Sequence, residues 1–70
     1  MNLWLAEVGA EYIVDRIESG DEELESFLFS LGCYSGEPIT VISHSRSGSV
    51  VAIKDARYSI DKQLAEAIII

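Results

Sequence analysis

The chain is poor in the residues that usually announce chemistry. Among its 70 residues are one cysteine, one histidine, one proline and five basic side chains. A lone cysteine excludes an intramolecular disulfide, so packing must hold the fold, and nothing in the sequence argues for secretion. One cysteine and one histidine cannot make a zinc pattern of paired ligands. The five cations Arg16, Arg46, Lys54, Arg57 and Lys62 are scattered and face twelve acidic residues, for a net charge of −7. No nucleic-acid partner is expected on that balance, direct adhesion to anionic lipid is disfavoured, and a neutral or basic protein surface fits better. Long apolar runs are also missing. The longest, at Ile68–Ile70, is far too short to span a bilayer, and MNLWLAEVGAEY has neither a basic region nor a small-residue cleavage site. The expectation is one soluble, cytoplasmic domain over residues 1–70 with a thin core.

What is present reads as short strands around one helix. Glu11–Ile17, EYIVDRI, is rich in β-branched and aromatic residues and predicts a first strand. SGDEE follows, where Ser19 or Asp21 can cap a helix and Ser19 with Glu22 has capping-box spacing. Leu24, Phe27, Leu28 and Leu31 recur at i, i+3, i+4 and i+7, so a helix over about Glu22–Leu31 buries one stripe and stops at Gly32. Phe29 falls off that stripe, among Glu22, Glu25 and Ser26. Beyond Glu37 the period changes. Pro38–His44 and Ser49–Lys54 read as strands joined by an SRSG hairpin, Arg57–Ile60 as another strand, DKQLAEA as a helical turn and Ala67–Ile70 as a terminal strand. The predicted fold class is mainly β (α+β), with about five short strands closing into a small barrel that covers core and edges.

Catalytic and ligand-binding patterns are sparse. Cys33 would sit at the negative end of the helix, which disfavours a thiolate, and His44 lies on a different element; Cys33 reads as a small buried hydrophobe. Glu18, Asp21, Glu22, Glu23 and Glu25 offer oxygen ligands but not in the order of a calcium loop, and acids at a helix start are ordinarily caps and solvated charge. In LGCYSG the glycines follow a helix, whereas a phosphate cradle precedes one. No cofactor is expected, and His44 is the only metal-ligand candidate, a weak one. Trp4, Phe29 and Tyr34 are candidates for a partner surface.

Ordered along the chain, these residues resemble a known family. Ser30-Leu31-Gly32-Cys33-Tyr34-Ser35-Gly36, followed by Ile39 and Val41, is similar to the pattern of ferrous iron transport protein A (FeoA), in which Leu-Gly, an aliphatic residue, any residue, Pro-Gly and a strand succeed a short helix. Leu5-Ala6-Glu7-Val8-Gly9 resembles that family's opening segment, Val14 and Ile17 its first strand, and Arg57–Ile60 with Ala65, Ile68 and Ile70 its closing run. Ser35 stands where the family often has proline, Cys33 where it has an aliphatic residue, and Ala56 replaces a turn glycine.

The resemblance implies an SH3-like small β-barrel with an inserted helix. It also implies a non-enzymatic accessory that docks on the cytoplasmic G-protein domain of the FeoB transporter. Phe29, Tyr34, Ser35 and Arg46 are the partner-binding candidates, and weak self-association stays open. The alternative is a free-standing metal-sensing module like the C-terminal domain of iron-dependent repressors, which this chain would carry without their helix-turn-helix part.

Overall fold

The computed structural model describes every residue from Met1 to Ile70. A 3₁₀ turn at Leu3–Leu5 is followed by β1 (Glu11–Ile13), β2 (Arg16–Ile17), α1 (Glu22–Ser30), β3 (Pro38–His44), β4 (Gly48–Ile53), β5 (Ala56–Asp61), α2 (Lys62–Ala67) and β6 (Ile68–Ile69). The strands form two antiparallel sheets. One sheet runs in the order β1-β3-β4-β5, and a separate two-stranded ladder joins β2 to β6.

The closed barrel expected from the sequence is therefore not formed: no ladder joins the two sheets. The break lies at Val14, where EYIVDRI divides into two strands. Val14 is buried, its N–H donates to Glu37 O at 2.9 Å and its carbonyl accepts from Gly36 N at 2.8 Å. Those bonds are the last that hold the chain on the β3 side; from Asp15, whose N–H donates to Ile69 O at 2.7 Å, it crosses to the other sheet, and Arg16 and Ile17 pair with Ile69 and Ile68.

α1 begins and ends for local reasons. Asp21 is the N-cap, its Oδ1 accepting from Glu23 N and Leu24 N at 3.0 and 3.3 Å. Ser19 supports that cap instead of providing it: its hydroxyl accepts from Asp21 N and contacts the Glu25 carboxylate at 3.0 Å. At the other end Gly32 takes φ +90°. Cys33 N then reaches Leu28 O and Gly32 N reaches Phe29 O, both at 3.0 Å, so two orphan carbonyls are satisfied and Cys33 is folded back over Leu28. The helix closes at Ser30, one residue short of the expected Leu31, which becomes its C-cap.

The core lies between the inner face of the larger sheet and the two helices. Ile39 and Val41 of β3, Val51 and Ile53 of β4 and Ile60 of β5 alternate inward to meet Leu3, Val14, Leu28, Cys33, Ala65 and Ile68, all buried. Leu24 and Leu31 pack at its margin. Phe27 does not complete the stripe that the spacing predicted; it is 48% exposed. The core is too thin to cover more than the Leu24–Leu28–Leu31 face of a nine-residue helix, and Phe27 sits on the flank of that face.

Candidate docking surface

The α1–β3 loop places its side chains through two tight backbone devices. Gly32 reverses the chain, and a Cβ at that position would lie 2.8 Å from Lys54 Cε. Tyr34–Glu37 then forms a turn closed by Glu37 N to Tyr34 O at 3.1 Å, with Gly36 at φ +90°. A positive φ at the third turn position is the type II arrangement, which glycine adopts without steric cost. The loop is held against Val14, as described above, so Tyr34 and Ser35 are presented from a fixed backbone.

Across this loop stands the β4–β5 hairpin, whose two-residue tip is Lys54-Asp55 between the paired Ile53 and Ala56. Lys54 is the only non-glycine residue with positive φ, at 55°. That conformation is unfavourable for a side chain bearing Cβ, and its result is to lay the Lys54 side chain over Gly32 toward Tyr34. The ammonium is 5.3 Å from the Tyr34 ring centroid and 3.6 Å from Glu37 Oε2. Its pKa is raised, first by the neighbouring Tyr34 hydroxyl and then by the charge of Glu37.

Phe29 completes the cluster from the last turn of α1. Its ring lies 4.9 Å from that of Tyr34, at an interplanar angle of 36°, yet Phe29 is 64% exposed. The result is an aromatic pair with a cation over the Tyr34 ring, at the opposite end of α1 from its acidic first turn, Glu22, Glu23 and Glu25. Beside it, on the outer face of the sheet, Glu11, Glu37, Pro38, Thr40, Ala52 and Lys54 line an open groove of about 250 Å³. Thr40 pairs across the sheet with both Glu11 and Ala52, and the small Ala52 side chain leaves the floor low.

The sequence candidates therefore divide. Phe29, Tyr34 and Ser35 share one end of the molecule, joined by Lys54 and Glu37, which the sequence did not single out. The positive φ at Lys54 depends on hairpin register and leaves no mark in composition. Arg46 lies in the β3–β4 loop, at the opposite end of β3, whose seven residues span about 20 Å at roughly 3.3 Å each. His44 is also at that far end. Its Nε2 lies 3.0 Å from Ala6 O and its Nδ1 2.7 Å from Ser49 Oγ. A carbonyl can only accept, so Nε2 carries a proton and donates it to Ala6 O, while the Ser49 hydroxyl partners Nδ1. Trp4 meets His44 edge-on at 5.3 Å, and the Lys62 ammonium lies 5.5 Å from the Trp4 ring.

No three His, Cys, Asp or Glu side chains converge on a common point. Cys33 is fully buried, and burial pushes its thiol up to about 11, so it is neither exposed nor ionised near neutral pH. No helix is long and apolar enough to cross a membrane.

Comparison with known proteins matches this architecture to one family. The FeoA domain model matches residues 1–70. Among solved structures, a manganese-dependent transcriptional repressor is 24% identical with a TM-score of 0.89; the match covers 97% of this chain but only 39% of the repressor. The crystal structure of an iron uptake regulatory protein, FeoA, is 26% identical with a TM-score of 0.87 and is covered over 91% of its length by 97% of this chain. Stenotrophomonas maltophilia FeoA complexed with zinc, a prokaryotic SH3 domain protein, superposes with a TM-score of 0.88 at 15% identity, covering 99% of this chain and 87% of that one. The SH3-like character expected from the sequence is thus shared by the whole fold. No curated protein sequence matches the chain.

Proposed function

We propose that this chain, which belongs to the FeoA domain family, is a non-enzymatic accessory of ferrous iron uptake that works in the cytoplasm. It docks on the cytoplasmic G-protein part of a FeoB-type transporter and supports or regulates transport. The observation that carries a docking role is the Phe29–Tyr34 pair: two aromatic rings in contact, one of them 64% exposed, on a rigid helix–turn unit. Aromatic side chains held in place lose little conformational entropy on binding, which is why they anchor interfaces. The acidic first turn of the same helix favours a partner face that is neutral or basic, and the overall charge of −7 acts in the same direction during encounter. Catalysis has no comparable support, since the single thiol is buried and both nitrogens of the single imidazole are engaged.

The test is capture of the wild-type chain, Phe29→Ser and Tyr34→Ala by the immobilised cytoplasmic domain of the transporter. Binding by the wild type, weakened at least about tenfold in either variant, is the expected result for an aromatic anchor. Unchanged capture of both variants sinks the surface assignment, and no capture of the wild type sinks the partner.

A free-standing metal-sensing module is the second reading. It draws on the likeness to the manganese-dependent repressor and to the zinc complex of a FeoA protein. His44 is the residue on which it would rest, and titration with metal ions separates it from docking.

A further inference from the structure

β5 is the outer strand of the larger sheet, and its far edge is open. Ile53 and Ala56 flank a two-residue loop, so they form a hydrogen-bonded pair, and such pairs alternate along an antiparallel ladder. Tyr58 and Ile60 therefore bond to β4, while Arg57, Ser59 and Asp61 turn their backbone groups away from it. All three are exposed, and no loop backbone donates to or accepts from Arg57 or Ser59. α2 follows β5 directly and packs against β5 as well as β4 and the Leu3–Leu5 turn, yet it leaves Arg57, Ser59 and Asp61 exposed.

Open edges in monomeric proteins are commonly guarded by charge. Here the guards have opposite signs and stand symmetrically about a small residue, with Arg57 two positions before Ser59 and Asp61 two after it. We infer that β5 pairs antiparallel with β5 of a second copy of this chain about a two-fold axis at Ser59, placing Arg57 of each copy opposite Asp61 of the other. The outward groups of Arg57 and Ser59 and the N–H of Asp61 are in phase for that ladder, which joins two four-stranded sheets into one, while the Asp61 carbonyl is taken up as the N-cap of α2.

Register is decided by charge. A two-fold axis at Arg57 would oppose two arginines, and one at Asp61 would oppose two aspartates; like charges directly opposite destabilise a strand pair. Only the axis at Ser59 gives two attractive pairs and no repulsive one. Asp61 remains free to take part, since its α2 cap uses Oδ1 alone, accepting from Leu64 N at 2.8 Å. The contact is isologous and closes on itself, so association stops at the dimer. With one short strand per copy and a high charge on each, the dimer is weak and concentration-dependent.

Sedimentation equilibrium across a concentration series, with amide hydrogen exchange at the lowest and highest concentrations, tests this. A monomer–dimer equilibrium is expected, with the Arg57 and Ser59 amides gaining protection as concentration rises. Arg57→Glu turns both charge pairs repulsive and raises the dissociation constant at least about tenfold. Ser59→Pro removes an N–H that β4 does not use, a change tolerated on an edge strand, and has the same effect while leaving the monomer folded. A chain that stays monomeric up to about 1 mM, or a dimer that both variants leave intact, overturns the inference.

Discussion

The Phe29 and Tyr34 rings lie 4.9 Å apart although a glycine reversal and the buried Cys33 separate them in sequence. Their contact depends on the helix stop, since only the turn at Gly32 brings the loop back along the last helical turn. A double-mutant cycle on Phe29→Ala and Tyr34→Ala, measured by urea unfolding, is expected to give a coupling of about 0.5 kcal/mol, the low end for an aromatic pair because one ring is solvent-facing. Zero coupling would mean the two rings act as separate surface residues.

Ser35 occupies the second position of a turn whose third position is Gly36 at φ +90°. Proline suits that second position, and the Ser35 N–H serves no bond within the chain. Ser35→Pro is expected to stabilise the fold by about 0.4–1 kcal/mol through the unfolded state. Gly32→Ala, by contrast, forces Cβ into a positive φ and against Lys54, and is expected to cost more than about 1 kcal/mol. Chemical denaturation of the two variants checks both signs.

The thiol of Cys33 titrates at about 11 in the folded chain against an ordinary value of 9.0, because burial disfavours the thiolate. The unfolded chain therefore releases this proton first as pH rises. Bound protons are then fewer in the unfolded state, so this group's contribution is intact below about pH 9 and is lost progressively toward pH 11. Urea midpoints measured at pH 8 and pH 10.5 are expected to fall further in the wild type than in Cys33→Ala. An equal fall in both would show that other groups set the alkaline limit.

Calorimetric titration with ferrous, manganous or zinc ion is expected to show no saturable micromolar site, because the His44 nitrogens are already bonded to Ala6 O and Ser49 Oγ. His44→Ala should instead lower stability by about 1–2 kcal/mol, leaving the buried Ser49 hydroxyl without its partner. Saturable micromolar binding that disappears in His44→Ala would move the functional reading to metal sensing.

Local chemistry made much of this fold readable in the sequence. The start of α1 near Asp21, its stop at Gly32, the Pro38–His44 strand, the hairpin that follows and the burial of Cys33 each depend on a few neighbouring residues, and all are present. Non-local pairing was not readable. EYIVDRI has the composition of one strand, and only the change of partner between Val14, bonded to Glu37 and Gly36, and Asp15, bonded to Ile69, divides it between two ladders. Phe27 has the right spacing for the core, but whether a helix flank is covered depends on elements distant in sequence. At the candidate surface, Phe29 was legible as an aromatic off the helix stripe and Tyr34 as an aromatic in the loop that follows the helix. Lys54 was not, because its reach toward Tyr34 comes from a backbone angle set by the β4–β5 register.

The short β2–β6 ladder carries a kinetic consequence. β3, β4 and β5 follow one another through tight turns, so their contacts close small loops and can form early. Arg16 and Ile17 must wait for Ile69 and Ile68, far along the chain, and the union is short: two residue pairs flanked by Asp15 N to Ile69 O at 2.7 Å and Glu18 N to Ala67 O at 2.8 Å. Closing so long a loop is entropically costly, and few bonds reward it. Amides of the three-stranded meander should thus exchange only through global unfolding, while those of β2 and β6 exchange through a partial opening that leaves the meander intact. The chain unzips from the seam where its two ends meet.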